Sequence, residues 1–166
     1  YNLIASADPE EIISRHILDS LSVAPYIQGK RVIDVGSGAG FPGLPLAILL
    51  QEKGFLLLDS RGKRTRFLLQ VRLELGLDNV EVVQSRVEQF TGRTFDTVLV
   101  RAFGDLGKIA RSTAHLLGGE GIILAMKGKL GDAELSQMPE NIKVREICRV
   151  EVPGLDGVRA IAILAR

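Results

Sequence analysis

The sequence predicts an α/β domain: a seven-stranded, mostly parallel sheet with helices on its faces and an antiparallel hairpin at its C-terminal end. Three observations carry this. The apolar run Arg31 to Val35 breaks into Gly36-Ser37-Gly38-Ala39-Gly40, and an apolar, helix-length segment from Leu44 to Leu50 follows. Short apolar runs then alternate with longer segments of helical periodicity as far as Met126. The last two runs, Lys143 to Val152 and Val158 to Ala165, are joined only by Pro153-Gly154-Leu155-Asp156-Gly157, too short for a parallel crossover.

Size and composition set the bounds. A chain of 166 residues suggests a single domain with a full core. Hydrophobic residues at 46% and charged residues at 25% are those of a water-soluble globular protein. No apolar run approaches the ~20 residues needed to span a bilayer, and no signal-peptide pattern is present. The chain opens on Tyr1 rather than methionine, so a preceding segment is expected. One cysteine, Cys148, excludes an internal disulfide framework and a cysteine metal site; it reads as inert core. No metal, a cytoplasmic location and a monomeric state are expected.

The lead-in covers residues 1–30. Asp8-Pro9-Glu10-Glu11 starts a helix, with Asp8 as N-cap, Pro9 at the first helical position and Glu11 closing a capping box. This helix is expected to reach about Leu21, with Ile12, Ile13, Ile17 and Leu21 as its apolar stripe. His16, Asp19 and Ser20 share a neighbouring face, either a surface hydrogen-bond cluster or one wall of a site. Pro25 and Gly29 lead into the first strand. Phe55 to Leu58 is the second strand, Thr65 to Leu75 a helix ended by Gly76, and Val80 to Val83 the third strand. Phe95 to Val100 is the fourth and delivers Arg101-Ala102-Phe103 to its carboxyl end. Asp105 to Leu117 reads as a helix stopped by Gly118-Gly119. Gly121 to Met126 is the fifth strand, ending at Lys127, and Ala133 to Met138 is a short helix at most. The count is five βα steps and a hairpin.

The glycine loop carries the chemistry. Glycines at alternate positions remove each Cβ where a ligand must lie on the backbone, and the free N–H groups of the following helix face the same place. A dinucleotide fingerprint would need a third glycine where Phe41 stands, and the Gly-Lys-Ser/Thr of a phosphate cradle is missing. The loop instead reads G-x-G-x-G, with Asp34 two residues before Gly36. An acid there suits a ligand with an ammonium end and no phosphate. The pattern is similar to motif I of the S-adenosylmethionine-dependent methyltransferases. Asp59, at the tip of the second strand about 20 residues further on, sits where an acid accepts hydrogen bonds from ribose hydroxyls; a helix N-cap is the compatible plainer role. Together the loop and this acid describe a ribose-binding, Rossmann-like site. After the third strand, Gln84-Ser85-Arg86-Val87-Glu88 lies where it can flank an adenine. Arg101 points at the crevice beyond the strands' carboxyl ends. The net charge is only +1, but Arg61, Lys63, Arg64, Arg66 and Arg72 form a basic run, either a solvated helix face or a phosphate-contacting patch.

Taken in order, Tyr1-Asn2-Leu3, Asp8-Pro9-Glu10, Arg15-His16-Ile17-Leu18-Asp19-Ser20, the string Asp34 to Gly43, Leu58-Asp59-Ser60, Gln84 to Glu88, Arg101-Ala102-Phe103 and Leu155-Asp156-Gly157 resemble the RsmG (GidB) methyltransferases. The resemblance spans essentially the whole chain. It implies a class I S-adenosylmethionine methyltransferase that methylates N7 of a guanine in a loop (the 530-loop region) of bacterial 16S rRNA, free or in a small-subunit particle. It further implies that Gly36 and Phe41 hold the cofactor alongside Asp34, Gly38, Gly40 and Asp59. Val87 and Glu88 flank its adenine, and Arg101 stands between cofactor and substrate. Asn2, His16, Arg86 and Lys127 fall on matching polar positions that would place the substrate. Val100 departs from the small polar residue of many members, and the hairpin lacks a histidine near its start. Two rival readings keep the cofactor residues: a methyltransferase of small molecules or proteins, and a non-catalytic cofactor-sensing module.

Overall fold

A computed structural model describes residues 13–101, 104–128, 130–131, 134 and 138–166. Seven strands form one sheet in the order β3-β2-β1-β4-β5-β7-β6. They are β1 (Arg31–Val35), β2 (Gly54–Asp59), β3 (Val80–Gln84), β4 (Phe95–Arg101), β5 (Leu117–Lys127), β6 (Lys143–Val150) and β7 (Arg159–Ala165). The pairs from β3 to β5 are parallel, and β7 runs antiparallel to both β5 and β6. The short connection between β6 and β7 thus makes the expected hairpin, with its second strand inserted beside β5.

Alternation along each strand sorts the core into two layers. Ile33, Val35, Leu56, Leu58, Val98 and Val100 face helix α3 (Leu106–Thr113) through Leu106, Ile109 and Ala110. Val32, Phe55, Leu57 and Leu99 face helices α1 (Gly43–Leu49) and α2 (Gly62–Glu74) through Leu46, Ala47 and Leu68. Central strands buried on both sides are therefore near-continuous apolar runs, which is why they were legible. The entry to β1 is locked sideways onto β4. Asp96 accepts from the N–H groups of Lys30 and Arg31 and from the Arg31 guanidinium, each at 2.9 Å. The Thr97 hydroxyl donates to the Gln28 carbonyl and accepts from its N–H.

Four departures from expectation have local causes. Only the 3-10 turn Val87–Gln89 separates β3 from β4, so the chain makes one fewer βα step there. The lead-in is wound as a π-helix over Ile13–Leu18 before an α-helical turn at Asp19–Leu21. That wider winding breaks the i, i+4 stripe, and Ile13 is half exposed. Helix α3 ends at Thr113, and β5 begins at Leu117, running straight through Gly118 and Gly119, the glycines expected to stop the helix. A Cβ on Gly121 would sit 2.7 Å from the Phe95 carbonyl, so its absence lets β5 pass a register shift in β4. Cys148 is half buried on the edge strand β6 rather than in the core. The capping box at Asp8 and Glu11 lies outside the described residues, as do Asn2, Phe103 and most of the expected Ala133 to Met138 helix. Among the described residues no helix is long and apolar enough to cross a membrane.

Candidate functional site

The carboxyl ends of β1, β2, β3 and β4 open onto a cleft of about 380 Å³, lined by Gly36, Asp59, Arg61, Arg64, Arg86, Val87, Glu88 and Arg101 among others. The glycine loop forms its floor because it is stapled to β2: Gly36 N–H and Ser37 N–H both donate to the Leu58 carbonyl, at 2.8 and 3.1 Å. Gly36 and Gly38 adopt φ of +75° and +60°, which other L-residues rarely reach. A Cβ on Gly36 would meet nothing within 4 Å, and one on Gly38 only the Gly36 carbonyl at 3.7 Å. The space above both is open. Gly40 is different: its missing Cβ would lie 2.2 Å from Leu44 Cδ1, so it serves packing of the loop against α1 rather than the cleft.

The two acids have separate tasks. Asp34 is sealed (1% exposed), and its Oδ2 accepts from the Gly43 N–H at 3.0 Å, tying β1 to the start of α1. A Cβ on Gly43 would sit 2.7 Å from that oxygen and 2.3 Å from Leu57 Cδ2, a requirement the sequence reading missed. The Ser37 hydroxyl donates to the Asp34 backbone carbonyl, leaving Oδ1 buried without a donor among the described residues. Burial pushes the Asp34 carboxyl up to about 7, against the Gly43 N–H and the more distant Arg101 charge. Asp59 organises the rim. Its Oδ2 accepts from Gly38 N–H at 3.0 Å and Oδ1 from Arg61 N–H at 2.9 Å, while Arg64 Nη1 lies 3.3 Å from Oδ2. It is not the N-cap of α2; Arg61 holds that position without a side-chain bond. A carboxylate offers about four acceptor sites, so capacity for a ribose hydroxyl remains.

Val87 is mostly in the core and shows the cleft only a small part of its side chain, whereas Glu88 and Arg86 are exposed on its rim. The Val87 carbonyl is already held, by Phe90 N–H at 3.2 Å and the His115 ring at 3.1 Å, which fixes this turn.

A second cavity, about 260 Å³, adjoins the first. It is lined by Arg15, Asp19, Arg101, Met126, Lys127, Arg159, Ala160 and Ile161 among others. Arg101 lines both. Its Nη2 lies 3.0 Å from His16 Nδ1; a guanidinium can only donate, so Nδ1 accepts and the imidazole proton sits on Nε2. The His16 ring stacks on Phe41, with centroids 5.1 Å apart and planes 21° off parallel, and Arg101 Cζ lies 6.0 Å from the Phe41 ring centre. Three predicted residues from separate segments thus form one wall. Ser20, from the same predicted face as His16, is instead spent on the His16 carbonyl. Lys127 is held at 2.8 Å by both Glu134 Oε2 and the Gly104 carbonyl. The basic run divides. Arg61 and Arg64 border the cofactor cleft, while Arg72, a helix length away, lines a cavity at the opposite end of the strands. The cations that do converge, Arg15, Arg101, Lys127 and Arg159, come from four distant segments. Arg15 and Arg159 carried no local signal.

The family model described as rRNA small subunit methyltransferase G (GidB) matches residues 1–162. Over 165 residues, 99% of this chain and 80% of the relative, the chain is 49% identical to the ribosomal RNA small subunit methyltransferase G of Shigella flexneri. It is 48% identical over the same span to that of Escherichia coli strain K12 / DH10B. Among solved structures, the mitomycin 7-O-methyltransferase MmcR matches with a TM-score of 0.73 at 15% identity, over 90% of this chain and 53% of that one. TrmN from Thermus thermophilus matches at 0.67 and 21%, over 87% and 46%. At such identities the likeness shows the fold alone, and the first of the two is a methyltransferase by name. These findings support S-adenosylmethionine as the cofactor, and the cleft's residues fit it. Open space lies above two bare glycines, an acid stands at the end of β2, and the floor is made of loop backbone. The chain belongs to the rRNA small subunit methyltransferase G family.

Proposed function

We propose that this chain methylates N7 of a guanine in a loop of 16S rRNA. When bound, S-adenosylmethionine supplies a methyl group on a positively charged sulfur, which is released to a lone pair while the broken bond's electrons stay on sulfur. Guanine N7 offers such a lone pair and carries no proton, so the site needs no general base. The chain's own work is positioning and exclusion of water. Gly36 and Gly38 give the cofactor backbone to lie on, Asp59 accepts from its ribose, and Val87 and Glu88 border its adenine. The Oδ1 of Asp34, buried and without a donor among the described residues, is an acceptor below the loop that a cationic ligand end would favour. Arg101, braced by His16 and Phe41, faces the base from the boundary of the two cavities. Arg86 on the open rim and the cations of the second cavity hold phosphate or guanine O6, for which a guanidinium is the suited donor. An unstacked loop base reaches such a site more readily than a paired one.

The observation that carries this reading is the place of Arg101, shared by the cofactor cleft and a cation-lined cavity. Arg101→Ala is expected to keep measurable cofactor binding and to lower methyl transfer to small-subunit RNA by at least ~100-fold, the scale of losing a charged positioning group. Binding to that RNA should weaken steeply as salt rises, because phosphate contacts release counterions. Full transfer by Arg101→Ala, or salt-independent binding, is the contrary result.

A further inference from the structure

Asp19 lies on the wall of the second cavity, and nothing above gives it a role. Its side chain is nine-tenths buried, 10% exposed. Among the described residues its carboxylate still accepts no hydrogen bond. Two guanidinium groups balance its charge: Arg159 Nε is 3.3 Å from Oδ1, and Arg101 Nη1 is 3.7 Å from Oδ2. Neither contact has hydrogen-bond geometry, so both oxygens keep acceptor capacity beside the cavity. On the other side of the same contact, Arg101 Nη1 is a buried donor without a hydrogen-bond partner among the described residues. Unmade bonds of this kind are costly in a folded protein unless a ligand completes them.

We propose that Asp19 reads the Watson–Crick edge of the target guanine, accepting from N1–H and from the exocyclic N2 amino group. This rests on the guanine-N7 reading above. Around guanine, N7, O6, N1 and N2 follow one another along the rim. Around the site, the cofactor cleft, Arg101 and Asp19 follow one another in the same sense, since Arg101 borders both cavities and Asp19 only the second. With N7 turned to the cofactor cleft, O6 meets the free Nη1 of Arg101, and the two donors N1–H and N2–H meet the two oxygens of Asp19. Arg159, still beside Oδ1, keeps the carboxylate compensated once Arg101 turns to O6. Met126, Ala160 and Ile161 supply apolar walls for a ring. The volume, about 260 Å³, equals roughly nine waters at ~30 Å³ each, room for one base. Adenine is refused twice: its N6 amino group would face the Arg101 donor, and its N1 acceptor would face the carboxylate.

The test replaces the target guanine of small-subunit RNA with inosine, which lacks only the N2 amino group and keeps N7, O6 and N1–H. For each RNA, kcat/KM is measured with the unaltered chain, with Asp19→Asn and with Asp19→Ala. The unaltered chain is expected to prefer guanine roughly tenfold, the scale of one hydrogen bond to a charged acceptor. Both variants should lose roughly tenfold to a hundredfold on guanine and treat guanine and inosine alike. A residue that merely braced Arg101 and Arg159 would lower both RNAs equally and preserve the preference, and that result overturns the assignment even if transfer falls. If the variants do not fold, the ratio for the unaltered chain decides: equal use of guanine and inosine overturns the proposal. An unaltered chain that methylates no guanine of this RNA overturns the functional reading, and Asp19's role with it.

Discussion

Replacing Asp34 with asparagine is expected to alter how stability depends on pH. Asp34 is closed in beneath Gly43, and burial raises its carboxyl from 3.8 to about 7. In the unfolded chain it returns to about 3.8, so between about pH 4 and pH 7 the folded chain holds the proton that the unfolded chain has lost. Stability from this group is therefore largest at the acid end of that window, declines as pH climbs, and is lost above the folded value. A rise of about 3 units at 1.36 kcal/mol each gives about 4 kcal/mol, a ceiling because ionisation can draw water and the Arg101 charge toward the group. Asparagine keeps the acceptor for Gly43 N–H and does not titrate. Asp34→Asn should therefore match the unaltered chain within about 1 kcal/mol near pH 4 and exceed it by up to about 4 kcal/mol near pH 8. Urea unfolding at several pH values in that range, with the slope m held constant, measures the difference directly. Parallel profiles, or a variant that is weakest near pH 8, would mean that Asp34 does not hold a proton in the folded chain.

Asp96 carries the opposite sign. The Arg31 guanidinium bonded to it, helped by the N–H groups of Arg31 and Lys30, holds its carboxyl down to about 2. Its stabilisation is present above about pH 4 and lost as pH falls toward 2, so Asp96→Asn should cost stability at neutral pH and flatten acid unfolding below pH 4, read by circular dichroism. Arg64 occupies Asp59 Oδ2 in the open cleft and adds a positive charge where a cationic cofactor must settle. Arg64→Ala should tighten S-adenosylmethionine binding by roughly two- to fivefold by calorimetry, less at high salt. Gly38→Asp puts a side chain into the open space above the loop, at φ +60° and beside the Asp59 carboxylate. Cofactor binding should then vanish in the same titration; retained affinity would remove the loop from the site.

Much of this fold was readable because its signals are local. Every central strand is an apolar run, and the glycine loop sits between a strand and a helix, where its spacing alone separates it from dinucleotide and phosphate cradles. The hairpin follows from a connection too short for anything else. What escaped depends on contacts between distant residues. Gly118 and Gly119 look like a helix stop yet lie within β5, Gly121 looks like an ordinary strand start until the Phe95 carbonyl beside it is seen, and Gly43 looks unremarkable until Asp34 and Leu57 press against it. The π-winding of Ile13–Leu18 has no signature in the sequence that we can name. The basic run from Arg61 to Arg72 is contiguous and so reads as one helix face or one patch, but helix α2 carries its two ends to opposite ends of the strands. The cluster that does form joins Arg15, Arg101, Lys127 and Arg159, residues brought together only when β7 inserts beside β5 and the lead-in folds over both. Asp19 became informative for the same reason: its unmade hydrogen bonds are a property of the assembled cavity.

Methyl transfer from labelled S-adenosylmethionine to small-subunit ribosomal RNA, followed by mapping of the modified base, decides whether this chain modifies guanine N7. Label is expected on one guanine, at N7, in an unpaired loop. Cofactor binding with no label on any guanine of that RNA, or label on a protein or small molecule instead, would contradict it.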